Sequence, residues 1–280
     1  MDQSPYSLFV NEEEIMQTVN ANGIEIYYEI TGNGPPLTLI MGLGCSARQW
    51  EWIVPLLAKS FQIITYDNRG VGRTSKPDME YTTDLFAEDT CALLNTLGIK
   101  KSHIFGVSVG GMIAQKFALK YPEMANRLVL GCTMPNFYHL PPTTEVLQRM
   151  QESQLLPPEE SVEVMLRLFL TEQFFAKKPD QAAKLKEVML IEKKEQGQDA
   201  FLRQLGAAMN HNTQDEIKNI KVPTLIITGD LDPIAPVENS RFLAEHIPNS
   251  TLAELPRVQH AFWVERFKEA FDIINRFLCQ

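Results

Sequence analysis

Gly106-Val107-Ser108-Val109-Gly110, followed at once by Gly111, is the stretch from which the rest of this chain is read. The apolar run Ser102-His103-Ile104-Phe105 precedes it, and a helix-like pattern over residues 112–119 follows. A strand that turns directly into a helix at a serine bends too sharply for ordinary side chains. Glycine two residues before and two after the serine removes the Cβ atoms that would collide, and leaves the hydroxyl exposed at the tip of the turn. The pentapeptide alone recurs by chance; set between a strand and a helix it marks a nucleophilic serine.

Outward from that turn, strands and helices alternate. Residues 15–19 and 24–30 alternate apolar and polar positions about Asn22-Gly23, a hairpin signal. Residues 37–41, 61–66, 127–132, 224–229 and 251–254 read as further strands. Helical patterns cover 47–59, 82–97 (capped at Thr82 or Thr83), 237–246 and 261–278. This alternation predicts an α/β fold, with a mostly parallel central sheet and helices on both faces.

One stretch breaks the alternation. From Pro135 to about Lys221 no strand is visible, only helical patterns at 144–154, 161–170, 181–195 and 200–209, some separated by Pro141-Pro142 and Pro157-Pro158. An all-helical insert of this kind reads as a cap over the carboxyl ends of the strands, where such sheets bind ligands. The expected organisation is a core formed by 1–134 and 222–280, with a cap at 135–221. The polar residues 2–14 read as a loose arm.

The 280 residues are 44% hydrophobic, enough for a large core, and carry a formal net charge of −9 with no compensating basic run. This argues against nucleic acid or an anionic membrane as partner. The segment from Met1 to Tyr6 lacks a basic start followed by an apolar stretch, and no run is long enough to span a bilayer. The expectation is a cytoplasmic protein without membrane insertion. Cys45, Cys91, Cys132 and Cys279 are scattered and read as reduced thiols, Cys45 as a small filler near the site. No metal-ligand cluster is visible, and none is expected.

A serine hydroxyl needs an imidazole base, and the imidazole needs a carboxylate to fix its tautomer. Asp232, in Gly229-Asp230-Leu231-Asp232-Pro233 after a strand, is the preferred acid. Asp230 is the alternative, with hydrogen bonding to turn amides as its structural role. His260, between the last strand and the last helix, is the preferred base. His103 lies in the serine's own strand, His139 and His211 in or beside the cap, and His246 at a helix end. The order Ser108, Asp232, His260 matches a serine, acid, histidine triad. Acyl transfer also needs N–H donors for a developing oxyanion. The expected donors are the amides of Val109 and of Leu43, the latter in Met41-Gly42-Leu43-Gly44, where Gly42 and Gly44 let backbone approach substrate.

With these residues the chain resembles the serine-nucleophile branch of the α/β-hydrolase superfamily, and is similar to bacterial carboxylesterases and 3-oxoadipate enol-lactonases. Residues 39–44, the elbow with its double glycine, and Tyr66-Asp67-Asn68-Arg69-Gly70-Val71-Gly72-Arg73-Thr74-Ser75 carry the resemblance. Many relatives have histidine before the oxyanion glycine, where Met41 stands here; that histidine is not the triad base. The marker Asp67 to Gly70 is read as support for neighbouring loops. The resemblance implies hydrolysis of a small ester or lactone through an acyl-enzyme, with no cofactor. Met and Phe residues of the cap would line an apolar pocket where they face inward, and otherwise pack helix on helix. Arg149, Arg167 and Arg203 are candidates for binding a substrate carboxylate, and usually such arginines are solvated. The rival readings are a C–C bond hydrolase, a cofactor-free perhydrolase or haloperoxidase, and a small-molecule receptor that has lost turnover.

Overall fold

The computed structural model describes residues 17–280, so the expected arm and the first two residues of the expected strand at 15–19 lie outside it. The strands are β1 (Thr18–Ala21), β2 (Ile24–Thr31), β3 (Pro36–Ile40), β4 (Gln62–Tyr66), β5 (Ser102–Val107), β6 (Ala125–Gly131), β7 (Thr224–Gly229) and β8 (Ser250–Leu255). They form one sheet in the order β1-β2-β4-β3-β5-β6-β7-β8. β1 and β2 pair antiparallel, as do β2 and β4; every later pairing is parallel. Ala21 faces Ile24, and the two residues between them, Asn22 and Gly23, have φ of 49° and 76°, the left-handed pair that a tight hairpin requires.

The period-two alternation of the central strands divides the core. Phe105, Val107, Val129, Leu225 and Ile227 point to one face of the sheet, and Ile104, Leu128, Leu130 and Ile226 to the other. Helices α2 (Thr83–Thr96), α3 (Val109–Lys120) and α9 (Val237–His246) pack on the second face. The first face receives α1 (Val54–Leu57) and the C-terminal helices α10 (Phe262–Glu265) and α11 (Phe267–Leu278).

Between β6 and β7 the chain runs through α4 (Thr144–Ser153), α5 (Pro158–Phe169), α6 (Glu172–Lys177), α7 (Pro179–Gln196) and α8 (Gln198–Met209), the inserted helical cap. Its entry and exit are stitched together. Asn136 bridges Asn212, and the Thr213 amide donates to Pro135 O at 2.8 Å. Val162, Leu166, Phe174 and Leu185 of the cap join the cluster on the first face.

Three elements differ from the sequence expectation. The helix expected at 47–59 is a 3₁₀ turn, Ala47–Trp50, followed by the single turn α1, with Pro55 in the opening turn of the latter. Proline has no N–H for an i−4 carbonyl, so a continuous helix through it is disfavoured. The helix expected at 261–278 is broken at Arg266, which has φ −131° and ψ 38°. No glycine or proline announces that break. Glu265 just before it is pulled across to accept hydrogen bonds from the Thr171 hydroxyl and the Gln259 amide. Finally, α6 is six residues long, too short for periodicity to reveal it.

The hairpin is fixed to the core through a buried ion pair. Arg69 Nε and Nη2 donate to Asp89 Oδ2 and Oδ1 at 2.8 and 2.6 Å, and Asn22 Nδ2 adds a bond to Oδ1 at 2.7 Å. Both charged side chains are almost completely buried. Removing one partner strands the other charge away from water. Asp89→Ala should therefore lower the unfolding free energy by about 3–5 kcal/mol, read from urea denaturation.

Candidate active site

β5 delivers Ser108 to the carboxyl end of the sheet with φ 54° and ψ −123°, a left-handed conformation that costs a non-glycine residue roughly 1–3 kcal/mol. The surroundings enforce it. Ser108 N–H donates to Gly131 O at 2.8 Å, and Ser108 O accepts from Gly111 N at 2.9 Å and from Thr133 Oγ1 at 2.7 Å. A Cβ on Gly106 would lie 2.1 Å from Gly110 O, and one on Gly110 would lie 2.1 Å from Ile40 O. The turn therefore closes only because both positions lack a side chain. Cys132 and Arg257 also have positive φ, 38° and 58°, so backbone strain gathers at the ends of β5 and β6 and in the loop after β8.

That last loop carries His260. It is buried, and its Nδ1 lies 2.8 Å from Asp232 Oδ2. The other oxygen, Oδ1, accepts from the amides of Ile234 and Ala235 at 2.8 and 2.9 Å. An ionised carboxylate only accepts, so Nδ1 carries the hydrogen and Nε2 of the neutral ring keeps its lone pair. Burial is the largest influence and pushes the imidazolium down, but the charge and hydrogen bond of Asp232, together with the neighbouring Cys132 sulfur, outweigh it and hold His260 well above its ordinary value. Asp230 occupies its alternative role: Oδ1 accepts from Arg257 N at 2.6 Å and tethers the loop that bears His260.

Ser108 Oγ makes no hydrogen bond among the described residues, so the Asp232–His260 half of the relay is formed and the Ser108–His260 half is open. Hydrogen bonds of this kind commonly tighten only with substrate in place. The structure adds one neighbour that the sequence reading treated as a scattered thiol. Cys132 Sγ, His260 and Asp232 offer atoms all within 4.8 Å of one another. The Cys132 thiol is pushed up by burial and stays neutral at pH 7. Its place just after β6, beside the serine's strand, was the available signal. The trio has the makings of a metal-ligand set that spacing along the chain did not reveal. However, Oδ2 already accepts from Nδ1, and Oδ1 is filled by two amides.

Gly42 lies against the nucleophile: a Cβ there would be 3.0 Å from Ser108 Cβ and 3.5 Å from Ser108 Oγ. The Leu43 amide has no acceptor among the described residues, and Val109, as the first residue of α3, has none within its helix. Gly44 is turned toward the cap instead. Its N–H donates to Gln204 Oε1 at 3.0 Å, and a Cβ there would meet Gln196 and Phe201. Cys45 is buried, with Sγ donating to Leu43 O at 3.3 Å. The Asp67 to Gly70 string supports loops as read: Asp67 Oδ1 accepts from Ala47 N at 2.8 Å, and Asn68 Nδ2 donates to Met41 O at 2.9 Å.

The remaining histidines are occupied elsewhere. His103 stands edge-on to Phe61, and burial lowers it to about 4. His211 bonds Thr83 Oγ1 at 2.9 Å, and burial lowers it to about 3. His139 and His246 pack on Phe242. Of the cap aromatics, Phe169 reaches the triad, its ring centroid 5.3 Å from that of His260. The three candidate arginines are paired: Arg149 with Glu145, Arg167 with Glu163 and Glu172, and Arg203 with Asp78. No helix among the described residues is long and apolar enough to cross a membrane.

Comparison with known proteins places this geometry. The family model described as alpha/beta hydrolase fold matches residues 35–266. A 3-oxoadipate enol-lactonase of Acinetobacter baylyi is 27% identical over 91% of this chain and 93% of its own length. A Yersinia enterocolitica protein named for carbamate hydrolysis is 30% identical over 90% and 92%. The solved structure of a thermophilic esterase from Thermogutta terrifontis superposes with a TM-score of 0.80 at 27% identity, covering 94% of this chain and 96% of that one.

The His260 environment has a direct test. The imidazole should titrate above its ordinary value of about 6.5 when followed by NMR of histidine-labelled protein. In Asp232→Asn the charge is gone while the burial stays, so protonation should move below that value. Equal titration of the two proteins would contradict the assigned cause.

Proposed function

The chain belongs to the α/β-hydrolase fold family, and from that premise we propose that it is a serine hydrolase of small, uncharged carboxylic esters or lactones. The observation that carries this reading is the buried Asp232–His260 pair, set at the same end of the sheet as the strained Ser108. Above its raised pKa, where the ring is neutral, His260 Nε2 takes the Ser108 proton as Oγ attacks the carbonyl carbon. The amides of Leu43 and Val109 hold the oxyanion of the tetrahedral intermediate. Collapse breaks the C–O bond, and His260 gives the proton to the leaving alkoxide, which for a lactone stays tethered to the acyl group and becomes its free hydroxyl. Water, deprotonated by the same imidazole, then attacks the acyl-enzyme and releases the acid and free Ser108. Gly42 keeps this face of the nucleophile open, since any side chain there would press on Ser108.

The preference for an uncharged substrate rests on charge placement. An acidic lactone needs a cation facing the site, and the three arginines that were candidates for it are held in ion pairs by cap or loop carboxylates. Phe169 and Phe201, near His260 and Gly44 respectively, favour an apolar acyl or alkyl group.

The test is a panel of p-nitrophenyl esters, simple lactones, an acidic enol-lactone and a vinylogous diketone. Neutral esters or lactones should turn over. Ser108→Ala and His260→Ala should each lose roughly 10⁶-fold in kcat, and Asp232→Asn roughly 10⁴-fold. Cleavage of the diketone alone would overturn the assignment.

A further inference from the structure

We propose that two buried side chains of the cap, Gln204 on α8 and Glu192 on α7, are positioning residues for the oxyanion-binding backbone, so that the cap sets acyl-transfer rate as well as walling the site. The proposal rests on the serine-hydrolase reading above, in which the Leu43 amide is an oxyanion donor.

The backbone in question is a tight turn. Cys45 N donates to Gly42 O at 3.2 Å, and Gly44 has φ 70°, which makes Gly42 to Cys45 a type II turn. Type I and type II turns differ by rotation of the central peptide, here Leu43–Gly44, so an isolated turn of this kind has two accessible forms; the flip re-aims the Leu43 carbonyl and the Gly44 N–H, and the Leu43 N–H, in the preceding peptide, is steadied only through their shared residue. Partners hold this one. Gly44 N–H is taken by Gln204 Oε1 at 3.0 Å, and Leu43 O by Cys45 Sγ at 3.3 Å. Gln204 is itself fixed at its other end, Nε2 donating to Arg69 O at 2.7 Å, and Gln196 Nε2 donates to its Oε1 at 3.0 Å.

The next residue along is held by Glu192. Its Oε1 accepts from both Ser46 N and Ser46 Oγ at 2.7 Å, and its Oε2 accepts from Gln49 Nε2 at 2.7 Å. The core contributes the flanking anchors, Asn68 on Met41 O and Asp67 on Ala47 N. Between Met41 and Ala47, therefore, core side chains hold the two ends and cap side chains hold the middle. The Leu43 N–H is left unengaged in a frame clamped on both sides.

Two features separate this from ordinary cap docking. Apolar packing would fasten the cap without burying a carboxyl group, which is costly. Yet Glu192 is 1% exposed, and burial pushes it up to about 7. The cap's polar groups also meet the core at backbone amides of the oxyanion loop and its helical continuation. A side chain that fixes backbone donors acts on the transition state, whereas one that merely shapes the pocket acts on binding.

Gln204→Met, close in size but unable to accept from Gly44 N–H, and Glu192→Ala are the test variants. Glu192→Gln is the conservative rescue, because the buried and unpartnered Gln49 Oε1 can accept from the new amide once the Gln49 side chain turns over. With a p-nitrophenyl ester, Gln204→Met and Glu192→Ala should lose roughly 10- to 100-fold in kcat with KM within about threefold. Affinity for an aryl trifluoromethyl ketone, which forms an oxyanion on Ser108, should fall by the same factor as kcat. Glu192→Gln should stay within about threefold of wild type.

Folded Gln204→Met with wild-type kcat and ketone affinity would overturn the proposal, as would a rise in KM alone. Should Glu192→Ala not fold, Gln204→Met and Glu192→Gln decide the matter. A wild-type protein that neither turns over esters nor binds the ketone would instead bring down the serine-hydrolase reading.

Discussion

The left-handed backbone at Ser108 is the constraint around which this molecule is arranged. A β-strand can pass into a helix within one residue only where neighbouring backbones come almost into contact. Gly106 and Gly110 are the positions where they do. The Ile40 carbonyl, at the end of the adjacent strand β3, occupies the space that a side chain on Gly110 would need. The strained serine is therefore braced by β3 on one side, and by Gly131 and Thr133 of the β6 end on the other. The parallel sheet is what makes this bracing available, because it brings the carboxyl ends of successive strands to one edge.

Charge is buried at three places near that edge, and each time the carboxylate is filled with donors. Asp232 holds His260 and two amides; Asp89 holds Arg69 and Asn22; Glu192 holds Ser46 and Gln49. A buried carboxyl group that accepts three hydrogen bonds is directional in a way that apolar packing is not. Asp232 orients a ring, Asp89 ties the N-terminal hairpin to α2, and Glu192 ties the cap to the oxyanion loop. Substitution of any of these by an apolar residue would leave buried donors without acceptors.

The cap divides its work by chemistry. Val162, Leu166 and Leu185 fuse it to one face of the core. Two of its buried polar side chains, Gln204 and Glu192, reach the loop between β3 and the first 3₁₀ turn. Its arginines lie in ion pairs with acidic neighbours, and Phe169 lies beside His260. Relatives of this chain are named for enol-lactone, carbamate and ester hydrolysis, so the shared fold alone does not fix the substrate.

The α/β class, the parallel sheet and the helical insert were legible in the chain, because each leaves a local mark; Ser108, Asp232 and His260 stood out as candidates, of which the structure pairs Asp232 with His260 and gives Ser108 Oγ no hydrogen bond among the described residues. A buried strand is a short apolar run, a tight turn needs glycine, and triad members follow strands in a recognisable order. The one cap expected from 135–221 likewise shows as a lapse in strand patterning. What tertiary structure alone decided are the pairings between distant residues. Nothing near Gln204 or Glu192 in the chain points to Gly44 or Ser46. The break at Arg266 belongs to the same class, beside a Glu265 that reaches Thr171 and Gln259, whereas the one at Pro55 has a local cause in the proline itself. Local composition encodes which element a residue joins. Which element it touches depends on how the layers close, and that is settled only when the whole core packs.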